Sequence, residues 1–466
     1  MKNIKIWLMV LLVSLAGVGC EKDFDEINTN PNRPEDVPLT NVLLSSISQG
    51  VRRTHGASMN MTYGGLWAQH YAKIQYIDED WYAYRPDAFT THWDALYAGP
   101  LADLENIIAK ADNPSNMLAA AMTMKAYYFS IITDAWGMVP YSEALSVDRT
   151  TTPVYDEQSA IYADLVAQLK IAADMFGQSD DLGAGDIIYN GNTAMWKKFA
   201  NSLRARLLNR GANANPAFAT ELASLLSDPT ALINSNSENA FITYPDATPA
   251  NSNPLYSNRH NDGRNDHAVS ETLVNAMAGD PRLPVYADVN NAGQYVGQPN
   301  GALSEPSPFT IVSQIGTAFR DDPAAPSFLM TYAEVLFIRS EAAGFDKTLY
   351  TQAINASCAQ HGVSADQAFL DATSAAFDAG AAEAVGDQKW IALFGDGCEA
   401  FTEYRRTGFP TAIVEVPGSN YPGQGVPTRF AYPTSESGNN LANLNAAISA
   451  QNITDGIFSD KMWWAN

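Results

Sequence analysis

The sequence predicts a mainly α protein in which consecutive amphipathic helices pair into a superhelical scaffold interrupted by long loop-rich insertions. Three observations carry that expectation. Apolar residues recur at three-to-four spacing in the first half, a middle stretch of about 236–325 is dominated by Asn, Asp, Pro, Gly and Ser, and helical spacing then resumes to residue 394. With 46% hydrophobic and 17% charged residues in 466, the chain can fold and bury a sizeable core.

The elements follow in order. Asn113-Pro114 is a cap-and-first-turn signal, and Met117, Ala121, Met124, Tyr128 and Ile131 then line one helix face. Ile161, Leu165, Leu169, Ala172 and Phe176 line a second helix. Trp196, Phe199, Leu203 and Leu207 line a third, with Arg204, Arg206 and Arg210 on its other faces, and Asn215-Pro216 opens a fourth. The middle stretch reads as loops apart from Val269 to Met277, and so long an irregular segment is more often functional than idle. Helices are expected to resume with Phe328, Tyr332, Val335 and Leu336, to continue through 346–361 and 364–378, and to include Trp390, Ile391 and Phe394. Helical pairs are read here, although the tetratricopeptide period of 34 is not legible.

The N-terminus reads as an export signal over residues 1–19: Lys2 and Lys5 precede an apolar run from Ile6 to Val18, too short for a comfortable membrane span. Small residues directly before Cys20 match a lipoprotein acylation site, and Glu21 after it favours an outer-membrane address. Residues 20–38, polar and rich in Asn and Pro, read as a tether, and residues 39–466 as a single domain. Cys358 and Cys398 are too few for a disulfide scaffold, and sequence leaves their pairing open.

Charge and motifs exclude several functions. A net charge of −23 disfavours nucleic acid and anionic ligands. HExxH, GxSxG, Walker A and GxGxxG signatures are absent, and the six histidines show no metal-ligand spacing. Asp288-x-Asn290-x-x-Gly293 begins like a calcium loop but has Pro299 where an acidic ligand belongs, so it reads as a turn and no cofactor is implied. Asp78-Glu79-Asp80 reads as a solvated charge run rather than a glycosidase pair, since adjacent carboxylates do not flank a sugar ring.

Aromatic residues say more. Ten fall within residues 63–97, against 11% across the chain. Tyr63, Trp67 and Tyr71, and Phe89, Trp93 and Tyr97, repeat every fourth residue and read as core faces of helices. Tyr76, Trp81, Tyr82 and Tyr84 follow no stripe and read as an exposed platform, able to stack on sugar rings while nearby polar groups bond the hydroxyls. Arg264, Asn265, Asp266 and His267 are candidate polar contacts.

Several segments together resemble the SusD/RagB family of nutrient-binding outer-membrane lipoproteins. They are WGMVPYSEA (136–144), MWKKFANSLRARLLNR (195–210), GDPRLPVY (279–286), GQYVGQPNG (293–301), FLMTYAEVLFIRSEAA (328–343), KWIALFGDGCEAFTEYRRTGFP (389–410), VPTRFAYPTSESGNN (426–440) and Trp463-Trp464. Two positions depart from the family pattern: Met138 stands where an acidic residue is frequent, and Cys398 falls inside the GDGxEA segment. The resemblance implies four tetratricopeptide-like helix pairs carrying loop-rich inserts, and a partner, a SusC-like TonB-dependent transporter, to which captured oligosaccharides or, in some members, peptides are delivered without catalysis. Ligand residues vary within the family, so the site residues above rest on the sequence alone. Glu334, Arg339, Arg405 and Arg406 are expected to tie helices together.

Overall fold

The computed structural model describes residues 37–145, 150–304 and 306–465. The export signal, Cys20 and all of the tether but its last two residues lie outside the described residues. Helix α1 (Leu39–Thr54) buries Val42, Leu43, Ile47 and Val51. Its Gly50 lets α4 (Asn116–Trp136) approach: a Cβ there would fall 2.2 Å from the Tyr128 ring, whose hydroxyl donates to Ser46 O at 3.0 Å. Between them lie α2 (Pro86–Leu96) and α3 (Ala102–Lys110). The helix expected after Asn113-Pro114 starts two residues later than that signal. Ser115 is extended, and its side chain accepts the Leu118 N–H, satisfying a first-turn donor.

Helices α5 (Gln158–Met175), α6 (Thr193–Gly211) and α7 (Pro216–Leu226) each pack on the one before. After the irregular middle, which contains α8 (Glu271–Ala276), come α9 (Tyr332–Ala342), α10 (Lys347–Gln360), α11 (Gln367–Ala379), α12 (Ala381–Ala392) and α13 (Gly397–Thr407). Two further helices, α14 (Thr434–Asn439) and α15 (Leu441–Ala450), follow. Asn192, Asn215, Thr331, Asp346, Asp366 and Asp396 cap six helix N-termini with their side chains.

Three two-stranded antiparallel sheets pin the loops. In them β1 (Tyr71–Lys73) pairs with β5 (His267–Val269), β2 (Val139–Pro140) with β3 (Tyr155–Asp156), and β4 (Ala240–Ile242) with β6 (Ser327–Met330). Three expectations change here: Tyr71, Val269 and Phe328 belong to strands, not helices. The burial of Tyr63, Trp67, Tyr71, Phe89 and Trp93 stands, and Tyr97 is partly buried against the core.

Buried charge ties the helices. Arg206 on α6 forks onto Glu334 on α9 at 2.6 and 2.5 Å, while Arg210 meets Asp134 on α4 at 2.6 Å and Glu399 on α13. Arg406 bridges Glu341 and Glu403, and Lys389 reaches Glu403 at 3.1 Å. Burial alone would raise the Glu403 carboxyl, but Arg406 and Lys389 beside it hold it well below the usual carboxylate range. Arg405 is held by backbone carbonyls instead, and Arg339 is half-buried on α9. Cys358 and Cys398 are separate buried thiols.

Candidate functional site

Pairing of β1 with β5 places Lys73 opposite His267, and Ile74 N donates to Asp266 O at 2.8 Å. The two segments singled out by composition, 76–84 and 264–267, are therefore neighbours. Tyr76 takes a left-handed conformation (φ 51°) that turns the chain out of the strand; its side chain is 56% exposed, and Arg264 lies over the ring at 4.4 Å. One ring face is thereby covered. The guanidinium also donates to Asp266 at 2.6 Å.

A single 3₁₀ turn, Ile77–Trp81, then carries Trp81 across to two other loops. The half-buried indole donates from Nε1 to Ala302 O at 3.2 Å and lies so close to Gly418 that a Cβ there would come within 2.3 Å of Nε1. Gly418 N donates to Gly301 O, and Asn420 N donates to Trp81 O, both at 2.9 Å. Gly301 (φ 57°) has Val416 side-chain atoms 2.4 Å from the place of its missing Cβ. Three segments, 75–82, 300–304 and 414–420, thus converge on one face and bring exposed Leu303 and Val414 with them.

Other expected site residues are placed elsewhere. Tyr82 is core, not platform: its positive φ of 64° turns it inward, it is 2% exposed, and its hydroxyl oxygen accepts the Val416 N–H at 3.2 Å. Tyr84 is half-buried and donates to Asp455 O at 3.3 Å, joining the C-terminal segment. His267 is buried, and burial, with Lys73 and Arg264 nearby, holds it well below its ordinary pKa. Asp266 is also buried, between Arg264 and Lys73. The surface therefore keeps Tyr76, Trp81, Arg264 and exposed Asn265, whose carbonyl accepts from Arg259.

Nor is Asp78-Glu79-Asp80 a solvated run. Only Asp78 is exposed; Glu79 lies 3.7 Å from the Lys73 ammonium, and Asp80 is buried. Among the described residues no group of three or more His, Cys, Asp or Glu side chains is placed to hold a metal ion. Asn290 closes its own turn, accepting from Ala292 N and Gln294 N. The sequence reading missed Leu303, Val414 and Asn300, lone residues in polar loops whose partners are more than 200 positions away or whose exposure depends on the loop path.

Taken together, the face offers one free ring face, a half-buried indole, a guanidinium, amides and isolated aliphatic groups, beside the exposed Asp78 carboxylate. That set suits a neutral, hydroxyl-rich ligand with apolar C–H faces. A family model described as starch-binding, associating with the outer membrane, matches residues 31–433. The chain belongs to this SusD-like family. Among solved structures, a chitin-binding protein is 26% identical, with a TM-score of 0.77, and 92% of this chain covers 100% of that one. A chitin-binding SusD homologue from Flavobacterium johnsoniae is 22% identical, with a TM-score of 0.79, covering 91% of this chain and 98% of that one. A SusD homologue from Bacteroides thetaiotaomicron is 21% identical, with a TM-score of 0.77, covering 92% of this chain and 100% of that one. These two likenesses below a quarter identity speak for the SusD-like fold alone. No curated protein sequence matches the chain. Among the described residues no helix is long and apolar enough to cross a membrane.

Proposed function

We propose that this SusD-like protein is a surface lipoprotein, anchored through Cys20, that captures oligosaccharides without cleaving them and passes them to a SusC-like TonB-dependent transporter. The observation that carries this reading is the convergence of Tyr76, Trp81 and Arg264 with the 300–304 and 414–420 loops on one exposed face. The chitin-binding protein that is 26% identical over 92% of this chain makes N-acetylglucosamine oligomers the first ligands to test. Burial of Glu79 and Asp80 speaks against a glycosidase pair in this segment.

The deciding experiment is native-gel retardation and calorimetry of the protein against starch, chitin oligomers and other neutral glycans, with released sugar assayed alongside. Trp81→Ala is expected to weaken binding about tenfold or more, as loss of a central aromatic contact does, with a modest fall in melting temperature, the protein still folded and no sugar released. Absence of binding to any glycan would overturn the reading. A second reading, peptide capture, draws on a groove of about 780 Å³ between α3, α4 and α5, lined by Ile108, Met122, Leu165, Lys125 and Asp164. It expects peptide binding that Met122→Glu removes and Trp81→Ala leaves intact.

A further inference from the structure

Beyond Trp81 the exposed face runs into a second cluster that the capture reading does not use. Asn420, whose N–H donates to Trp81 O, is exposed, and among the described residues its side-chain amide bonds no protein group. The next residue, Tyr421, is half-buried, and its ring meets buried Phe458 edge-on at 5.3 Å. Phe458 closes a tight turn: it exchanges backbone bonds with Thr454 at 2.8 and 3.2 Å, and Asp455 (φ 49°) and Gly456 (φ 76°) between them are both left-handed. Tyr84, a little beyond Trp81 in the chain, reaches the same turn through its bond to Asp455 O. A Cβ on Gly456 would fall 2.1 Å from that tyrosine's hydroxyl oxygen, so glycine is required there.

The loop that carries Tyr421 is fixed by its own bonds. Glu415 accepts from Gly423 N at 2.9 Å and Gly425 N at 2.6 Å, one with each carboxylate oxygen. Ser419 Oγ accepts the Tyr421 N–H at 3.0 Å, and Tyr421 O accepts from Gln424 N at 3.1 Å. The outward groups, by contrast, are uncommitted. Among the described residues the Tyr421 hydroxyl makes no hydrogen bond, and the exposed Asp455 carboxylate has neither a hydrogen bond nor an ion pair. Burial first, then Tyr421 and Asp455 beside it, raise the Tyr84 phenol above its ordinary pKa, and burial with Asp455 does the same to Tyr421. An amide, a protonated phenol and a carboxylate are what sugar hydroxyls bond, the carboxylate through charge-assisted bonds.

We propose that Asn420, Tyr421 and Asp455 form a second sugar subsite adjoining Trp81, and that the ligand is therefore a neutral oligosaccharide long enough to cover both, short oligomers being captured weakly. The proposal rests on the glycan reading above and adds the ligand's length and charge to it. Tyr76 and Trp81 open and close one turn, Asn420 bonds Trp81, and Tyr421 and Tyr84 both touch the turn that carries Asp455. Sugar units added past Trp81 thus meet new partners rather than open water. Asp455, with no cation paired to it, repels a uronic or sulfated chain, as does the net charge of −23.

Calorimetry with trisaccharide and hexasaccharide forms of neutral glycans, chitin oligomers first, tests the subsite. Wild type is expected to bind the hexasaccharide about tenfold more tightly than the trisaccharide, the worth of one or two additional hydrogen bonds, one of them to a charged group. Asp455→Asn keeps a residue that tolerates the left-handed backbone, and Tyr421→Phe keeps the ring on Phe458. Each should remove several-fold of the length gain, and the two together most of it, with trisaccharide affinity and melting temperature little changed. Trp81→Ala should weaken both lengths. A hexasaccharide bound no more tightly than the trisaccharide, or a length gain that the double variant keeps, would overturn the subsite and leave the glycan reading standing. Tighter binding of an oligogalacturonate of the same length would overturn the neutral ligand. No binding of any glycan at either length would overturn the glycan reading and the subsite with it.

Discussion

Four arginines lie over aromatic rings among the described residues, and the surroundings of two of them, Arg405 and Arg264, separate the helical core from the proposed ligand face. Arg405 on α13 stacks on Phe401 at 4.1 Å and spends its donors on the carbonyls of Phe401, Thr428 and Asp134 at 3.3, 2.9 and 2.8 Å. Arg264 stacks on Tyr76 at a similar 4.4 Å, but its side chain is 42% exposed and bonds only Asp266 among the described residues. The same contact serves different ends: each guanidinium nitrogen of Arg405 bonds a neighbouring oxygen and the arginine ties segments together, whereas Arg264 keeps donors open to solvent.

Breaking the core side of this comparison should have the largest effect. Arg210→Ala leaves Asp134 and Glu399 buried without their shared partner, and loss of one member of such a network costs about 3–5 kcal/mol. Urea denaturation should show that loss, while glycan affinity of the remaining folded protein stays unchanged. A loss below about 1 kcal/mol would place the network at the level of surface ion pairs.

Acid probes the core through a buried imidazole. Burial pushes His70 down to about 3, with Nε2–H donating to Trp390 O at 2.9 Å. The unfolded chain takes up a proton below about 6.5 and the folded chain does not, so this group's contribution is complete above that pH and is lost as pH falls toward 3. Wild type should therefore lose roughly 2 kcal/mol more than His70→Gln between pH 7 and pH 5, by denaturant titration at each pH. Equal losses would mean that the buried imidazole is protonated in place.

The comparison also explains what the sequence could and could not convey. Helices such as Gln158–Met175 and Thr193–Gly211 were legible because their apolar spacing and caps are local. The roles of Arg206 and Arg210 were not, since their partners lie on α4, α9 and α13. At the face, Tyr76, Trp81 and Arg264 stood out by composition, yet Tyr82, one residue from Trp81, is core because a single left-handed residue reverses its direction. Glu79 and Asp80 read as solvated because the turn folds them back onto Lys73 of the preceding strand and beneath Asn300 of a distant loop. Loop order here is set by long-range amide bonds, for which no periodicity exists.

Gly301 tests that loop order at intermediate size. Gly301→Ala puts a Cβ against Val416 in a left-handed conformation, a strain of about 1–3 kcal/mol. Because Gly301 O holds Gly418 and the following Ala302 O holds the indole, the affected contacts are those of the ligand face. The expected result is a several-fold weaker glycan affinity together with a modest fall in melting temperature. A fall in melting temperature with unchanged affinity would separate Trp81 positioning from this loop.

The smallest effect on stability, and the sharpest on the comparison, belongs to Arg264→Ala. An exposed cation over a ring contributes about 0.5–1 kcal/mol, and an ion pair open to water on one side no more, so folding should weaken by about 1 kcal/mol or less. Removing the guanidinium also frees the second face of Tyr76, so lost hydrogen bonds to ligand oppose gained stacking area. Arg264→Lys distinguishes the two contributions: an ammonium keeps the charge but gives up the planar stack and the fork of donors. If hydrogen bonding to sugar hydroxyls is the dominant role, both variants weaken binding several-fold in calorimetry. If Arg264 chiefly holds the Tyr76 ring in place, adding Tyr76→Ala to either variant changes affinity no further, and a double-mutant cycle returns a coupling as large as the single effects.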